Sequence, residues 1–361
     1  MNKSALKVAD LDSPETWSAI DPDDMLGRIG ELPEQCENAW AEIMVMDIPL
    51  PSMDFHNVLA LGMGGSAIGG DLVRTLVWKE TQIPIIVNRD YDIPAFVNEK
   101  TLAIASSYSG NTEETLSSLE RVQERGAVLV AISAGGELAR RAQASNIPIV
   151  PIKYDSQPRA ALGHSLVLLL GVLQKANLIA DKSSDVEEAV GVMRKLQAEI
   201  SAEVPTAENP AKQLALELHG KLPIVYGAEY LSEVARRWKG QFNENAKNWS
   251  FFEVLPELNH NAVLGYQFPA KLAQHLVVIA LRSHLDHPRN RKRADVTQEM
   301  LEERGIKCRT VESRGESPLA VMLSSIHFGD YVSYYLALLN GADPTTVDSI
   351  SYLKKRLAEM K

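Results

Sequence analysis

Two short segments combine glycines and hydroxyls at a spacing suited to holding an anion. The first, Leu61-Gly62-Met63-Gly64-Gly65-Ser66-Ala67-Ile68-Gly69-Gly70-Asp71, directly follows an apolar run. Glycines between a strand and a helix let backbone approach a ligand, and the helix N-terminus offers N–H groups without intrahelical partners. Taken alone, the segment fits two chemistries. Gly64, Gly65 and Ser66 suit a phosphate, whereas Gly62-x-Gly64-x-x-Ala67, with Asp90 beyond the next apolar run, fits a dinucleotide fingerprint. A third possibility is that the glycines only allow tight strand–helix packing. The second segment, Ser106-Ser107-Tyr108-Ser109-Gly110-Asn111-Thr112-Glu113-Glu114-Thr115, breaks the tie. Ser107, Ser109 and Thr112 supply hydroxyls, Gly110 lets the loop curl, and a helix follows: a phosphate cradle that needs no lysine. A helix cap would use one hydroxyl, and a nicotinamide enzyme has no need of a second cradle. Phosphate binding is the expectation.

The elements that must position these loops follow from hydrophobic patterning. Val58–Leu61, Pro84–Val87, Leu102–Ala105, Val128–Ile132 and Ile147–Ile152 are short apolar runs separated by stretches long enough for crossover helices, such as Glu113–Gly126. Runs apolar on both faces read as buried strands of a parallel sheet. A helical connector, Asp185–Ile200, leads to a second set at Pro223–Tyr226, Phe251–Leu255, His275–Leu281 and Ile306–Val311. Gln123-Glu124-Arg125-Gly126 and Glu302-Glu303-Arg304-Gly305 precede a strand at matching places in the two sets, which points to duplication. Arg159 follows Gln157-Pro158 just past the last strand of the first set, at the carboxyl edge where open α/β sheets bind ligands. The corresponding place in the second set reads Arg282-Ser283-His284-Leu285-Asp286, without the serine-rich cradle, so one substrate site per chain is expected.

With 361 residues, 45% hydrophobic and 23% charged, the chain suits a two-domain globular protein. A net charge of −10 argues against nucleic acid as a partner, because such binding releases counterions through a basic face. Cys36 and Cys308 stand far apart without metal-site spacing and read as buried reduced thiols. The N-terminus has no apolar signal region, and the greasiest run, Leu162–Leu173, is too short to span a bilayer. A cytoplasmic location, no membrane and no metal are the expectations.

The Gly-Gly-Ser and Ser-Tyr-Ser-Gly-Asn-Thr loops, Gln157-Pro158-Arg159, Asn243-Glu244-Asn245-Ala246-Lys247, Leu255-Pro256-Glu257-Leu258-Asn259-His260-Asn261 and Leu353-Lys354-Lys355 form a further pattern. Together they resemble the bacterial and archaeal bifunctional phosphoglucose/phosphomannose isomerases, a family of the phosphoglucose isomerase superfamily with sugar isomerase (SIS) domains. The resemblance implies an α/β fold of two tandem SIS domains, each a doubly wound, mostly parallel sheet flanked by helices. The expected divisions are an N-terminal arm (1–35), a phosphate-binding SIS domain (36–155), a helical connector (156–205), a second SIS domain (206–325) and C-terminal helices (326–361). It implies interconversion of glucose 6-phosphate and mannose 6-phosphate with fructose 6-phosphate through a cis-enediol(ate), with no cofactor. Glu244 matches the family's base, His260 the ring-opening histidine, Arg159 the cation that stabilises the enediolate, and Lys354 (or its neighbour Lys355) the lysine that assists ring opening. A dimer is implied, in which His260 serves the neighbour's site. Thr345 or Thr346 is the candidate that makes room for mannose 6-phosphate. The competing classes are a non-catalytic phosphosugar sensor and a nicotinamide-dependent oxidoreductase.

Overall fold

The computed structural model describes residues 9–359. Five strands, β1 (Asn57–Leu61), β2 (Ile85–Asn88), β3 (Thr101–Ser106), β4 (Val128–Ser133) and β5 (Ile149–Pro151), form a parallel sheet in the order β2-β1-β3-β4-β5. Four more, β6 (Leu222–Ala228), β7 (Phe251–Leu255), β8 (Leu276–Arg282) and β9 (Lys307–Glu312), form a second parallel sheet in the order β7-β6-β8-β9. The second order repeats the first four strands of the first. The central runs became strands buried on both faces, as in β1, β3, β4 and β8, whereas the edge strands β7 and β9 leave much of their length exposed. Val58 and Ala60 of β1 enter a core shared by the two halves, while Leu59 and Leu61 enter a smaller core on the far side of the sheet. In β8, Val277 and Ile279 join the shared core and Val278 and Ala280 join a separate outer one.

The duplicated phrase has one geometry in both halves. Gly126 and Gly305 each lie at φ 70°, and each donates to the carbonyl three residues back. The next residue reaches back five positions, Ala127 to Val122 and Ile306 to Leu301, which closes the helix end in a Schellman-type motif. A side chain at this φ costs about 1–2 kcal/mol. Gly126→Ala and Gly305→Ala should therefore each lower the unfolding free energy by about that amount, measured by denaturant titration with an unchanged m-value.

The stretch 156–205 is more than a connector. The apolar run is the helix Leu162–Lys175, buried along Leu162–Leu173, and it packs on the helices Leu32–Val45 and Gly64–Val77 of the first unit. The helix Pro318–Asn340 runs unbroken through residue 325 and is buried for almost its whole length. It packs on the helices Ser183–Ile200, Pro210–Leu218 and Ser232–Glu244 and also on the N-terminal helix Met25–Gly30, so it joins the two ends of the chain. Residues 9–35 carry helices of their own, whose Leu11, Met25 and Ile29 belong to the shared core. Cys36 and Cys308 are buried and unpaired; burial pushes their thiols up to about 12 and about 11. No described helix is long and apolar enough to cross a membrane.

Candidate functional site

The glycine loop leaves the carboxyl end of β1 and the serine loop that of β3. These neighbours are the pair from which the first sheet grows in opposite directions, so their loops diverge and open a crevice. The first loop is pressed against the Arg159 segment: a Cβ on Gly65 would lie 2.7 Å from the Pro158 carbonyl oxygen. Gly64 lies at φ 50°, exposed, and Ser66 is buried behind it in the first turn of Gly64–Val77.

In the serine loop, Gly110 lies at φ 70° with its α-carbon against the backbone of Gly135 and Gly136, where any Cβ would collide. Ser107 Oγ accepts from the Gly110 N–H at 3.1 Å and lies 3.0 Å from Thr112 Oγ1, while Ser109 Oγ accepts from the Asn111 N–H at 3.3 Å. Thr112 occupies the N-cap position of the helix Glu113–Glu124, yet its side chain makes no capping bond. The hydroxyls are thus gathered on one another and on the loop. They do not consume the helix's first-turn N–H groups, which stay available to an anion.

Arg159 sits in the short 3₁₀ turn Pro158–Ala160 and is only 3% exposed. Its Nε donates to Asn245 Oδ1 at 2.7 Å, and its Nη2 donates to the carbonyls of Pro344 and Thr345. Nη1 remains, 3.7 Å from Glu244 Oε2. Asn245 Nδ2 donates to Ser333 Oγ at 2.9 Å. Arg237 donates to the Arg159 carbonyl at 2.7 Å and pairs with Asp330 at 3.0 Å. Burial pushes the Arg159 guanidinium down from its usual range and Glu244 opposes that shift, but an arginine stays charged in any event. The outcome is a fixed cation with one end presented to Glu244.

Glu244 closes the helix Ser232–Glu244, which follows β6. Its side chain lines two cavities. One, of about 360 Å³, is shared with Gly64, Gly65 and Arg159. The other, of about 570 Å³, is shared with Lys247, Asp343, Thr346 and the start of the helix Asp348–Leu357. Lys247, at φ 52°, donates from Nζ to the Glu244 carbonyl at 2.7 Å. Desolvation and the nearby Arg159 push its ammonium below the usual lysine range. Thr345 is buried with its Oγ1 unpartnered among the described residues, and Thr346 faces the second cavity.

The fold therefore gathers Gly64, Gly65, Arg159 and Glu244 around one space, with Ser66 beneath them. Ser109 lines a separate depression with Tyr108 and Tyr154. His260 lies elsewhere, exposed on the 3₁₀ turn Glu257–His260 beyond β7, and lines neither Glu244 cavity. Lys354 is exposed on the last helix, one turn past Ile350, which does line the second cavity; residues four apart share a helix face. The matching loop of the second unit already has an anion of its own. Asp286 Oδ2 accepts from the Ser283 N–H at 2.9 Å, so a carboxylate of the chain already holds that backbone donor. Among the described residues no group of three or more His, Cys, Asp or Glu side chains is placed to hold a metal ion.

Residues 207–357 match the bacterial phospho-glucose isomerase C-terminal SIS domain. A bifunctional phosphoglucose/phosphomannose isomerase of Caldicellulosiruptor bescii is 43% identical over 338 residues, covering 93% of this chain and 100% of that protein. The chain belongs to the bifunctional phosphoglucose/phosphomannose isomerase family. The Aquifex aeolicus member is 33% identical, over 86% of this chain and 93% of its own length. In fold, the chain is similar to a hypothetical protein from Thermus thermophilus, with TM-score 0.74, 17% identity and coverage of 95% and 93% of the two chains.

Several residues that build this isomerase-family site were not foreseen. Asn245 sits inside the Asn243–Lys247 motif, where nothing local marks it as a partner for an arginine. The Pro344 and Thr345 carbonyls carry no side-chain signal at all. Asp330 did carry one: it is a single acid within an otherwise apolar helical stretch, and such an acid is buried against a cation.

Proposed function

We propose that this chain interconverts glucose 6-phosphate and mannose 6-phosphate with fructose 6-phosphate through a cis-enediol(ate). Family membership supports the activity; the observation that carries the site is the placement of Glu244 against Arg159 Nη1, both on the cavity bordered by Gly64 and Gly65. In the opened sugar, the Glu244 carboxylate takes the C2 proton and returns it to C1. The charge then resides on the enediolate oxygens, where a desolvated and already oriented cation is most effective. Arg159 is such a cation, held on three protein acceptors before substrate arrives. Phosphate is held by Ser66, Ser107, Ser109 and Thr112 and the two helix N-termini. Both aldoses share one enediol, since they differ only at C2. Turnover of both therefore needs only that the site tolerate rotation about C2–C3, and Thr345 or Thr346 is the proposed residue that makes room for it.

Ring opening requires a proton shuttle, for which His260 and Lys354 are the proposed groups. The exposure of His260, away from the Glu244 cavities, supports a homodimer in which it serves the partner's site. The segment after it leaves Leu264 and Phe268 exposed at 72% and 82%, and the last helix leaves Tyr352 and Leu353 exposed at 65% and 57%, surfaces a second copy would cover. The enzyme acts in the cytoplasm. A coupled assay for fructose 6-phosphate, fed separately with glucose 6-phosphate and mannose 6-phosphate, tests the proposal. Turnover of both is expected. Phosphosugar binding without turnover would overturn it in favour of a sensor.

A further inference from the structure

The cavity that holds Arg159 and Glu244 is strongly basic, and of its cations Arg89, Arg236 and Lys239 are part-exposed where Arg159 and Arg237 are buried. Arg89, Arg236, Arg237 and Lys239 line it together with Arg159, against Glu244 as the one carboxylate. This gathering occurs in a chain of net charge −10. Behind it, Asp71 is almost fully buried and is met by Arg89, by Arg236 at 3.0 Å and by Arg74 at 3.5 Å. Glu233 takes Arg74 at 2.7 Å and Arg236 at 3.4 Å. Three guanidinium groups thus face two carboxylates, and one positive charge is left over. Arg236 reaches both carboxylates through Nη1 alone. Its Nε and Nη2 have no hydrogen-bond partner among the described residues, and its Cζ lies over the Phe252 ring, 5.3 Å from the centroid. A guanidinium seated on an aromatic ring and tethered by one nitrogen is a fork already oriented for a planar pair of anionic oxygens.

We propose that Arg236, with Arg89 and Lys239, forms a second phosphate site at the mouth of the cavity, distinct from the serine cradle. Its ligand class is the phosphate-monoester dianion. A dianion there neutralises the surplus charge and replaces the lost water contacts of Arg236 with charge-assisted hydrogen bonds. Such a group has two sources: the phosphate of a substrate on its way to the cradle, or the second phosphate of a hexose 1,6-bisphosphate.

Calorimetric titration with inorganic phosphate at low ionic strength tests the site without relying on turnover. Two phosphates per chain are expected for wild type, one for Arg236→Gln, and one for the cradle variant Ser107→Ala/Thr112→Val. Glutamine keeps a hydrogen bond to Asp71 available, and Lys239→Gln, outside the ion-pair cluster, gives a second variant that should weaken mouth binding about tenfold. One phosphate in wild type that survives in Arg236→Gln and vanishes in the cradle variant would overturn the proposal. One that behaves the opposite way would support the mouth and overturn the cradle instead. Kinetics then separates the two sources, and this arm alone rests on the isomerase reading. If incoming substrate uses the mouth, the KM for glucose 6-phosphate rises more than kcat falls in Arg236→Gln. If a bisphosphate uses it, KM holds and inhibition by hexose 1,6-bisphosphate weakens.

Discussion

Glu244→Gln should lower turnover of glucose 6-phosphate and mannose 6-phosphate together, by about 10²–10⁴-fold, while leaving KM within a small factor. Both sugars pass through one enediol, so a single base serves both and its loss cannot spare either. KM holds because the proposed phosphate ligands, the serine cradle on the loops after β1 and β3 and the cations at the cavity mouth, do not include the Glu244 side chain. Stability is expected to change little. The Glu244 side chain is about one-third exposed, and its ion pair with Arg159, at 3.7 Å, is long. Steady-state kinetics on both sugars with a thermal melt alongside checks all three points. A variant that lost one activity and kept the other would mean two different bases.

Arg159→Met should damage both chemistry and fold. Methionine keeps volume but leaves Asn245 Oδ1 and the Pro344 and Thr345 carbonyls without their donor in a buried place. Breaking a buried charged network from one side costs about 3–5 kcal/mol, and removing one oriented donor at an oxyanion costs about 10²–10³-fold in kcat. Arg159→Lys restores the charge but not the fork, since one ammonium cannot serve Asn245, two carbonyls and the cavity at once. It should recover part of the stability and little of kcat. Denaturant unfolding and kcat on each variant give the comparison. Equal kcat in lysine and wild-type enzymes would show that charge alone suffices and that the fork is incidental.

The central strands β1, β3, β4 and β8 were legible because each is buried on both faces and so announced itself as an apolar run. The two anion loops were legible because glycine and hydroxyl residues right after a strand have few other uses. Arg159 was legible as a position, from Pro158 and the end of the last strand, but its surroundings were not. Its acceptors lie 86, 185 and 186 residues along the chain, and no local pattern encodes a carbonyl that will be met so late. The depth of Leu162–Lys175 and Pro318–Asn340 in the shared core was likewise hidden. An apolar helix reads the same whether it links two domains or forms the wall between them. The Arg236 cluster escaped for a related reason. Arg89 belongs to the first half and Arg236 to the second, and only the packing of one half on the other turns two scattered surface charges into a pair.

The long reach of Arg159 also dictates when the enzyme comes to life. During synthesis the first sheet and both anion loops are complete long before residues 344 and 345 emerge. Until then the guanidinium lacks the two carbonyls that hold Nη2. A chain ending before that point lacks two of the three acceptors that seat the cation, even where it already carries Glu244. Half-made molecules are therefore expected not to turn sugar over, and the final stretch of backbone acts as a built-in check that only finished copies pass.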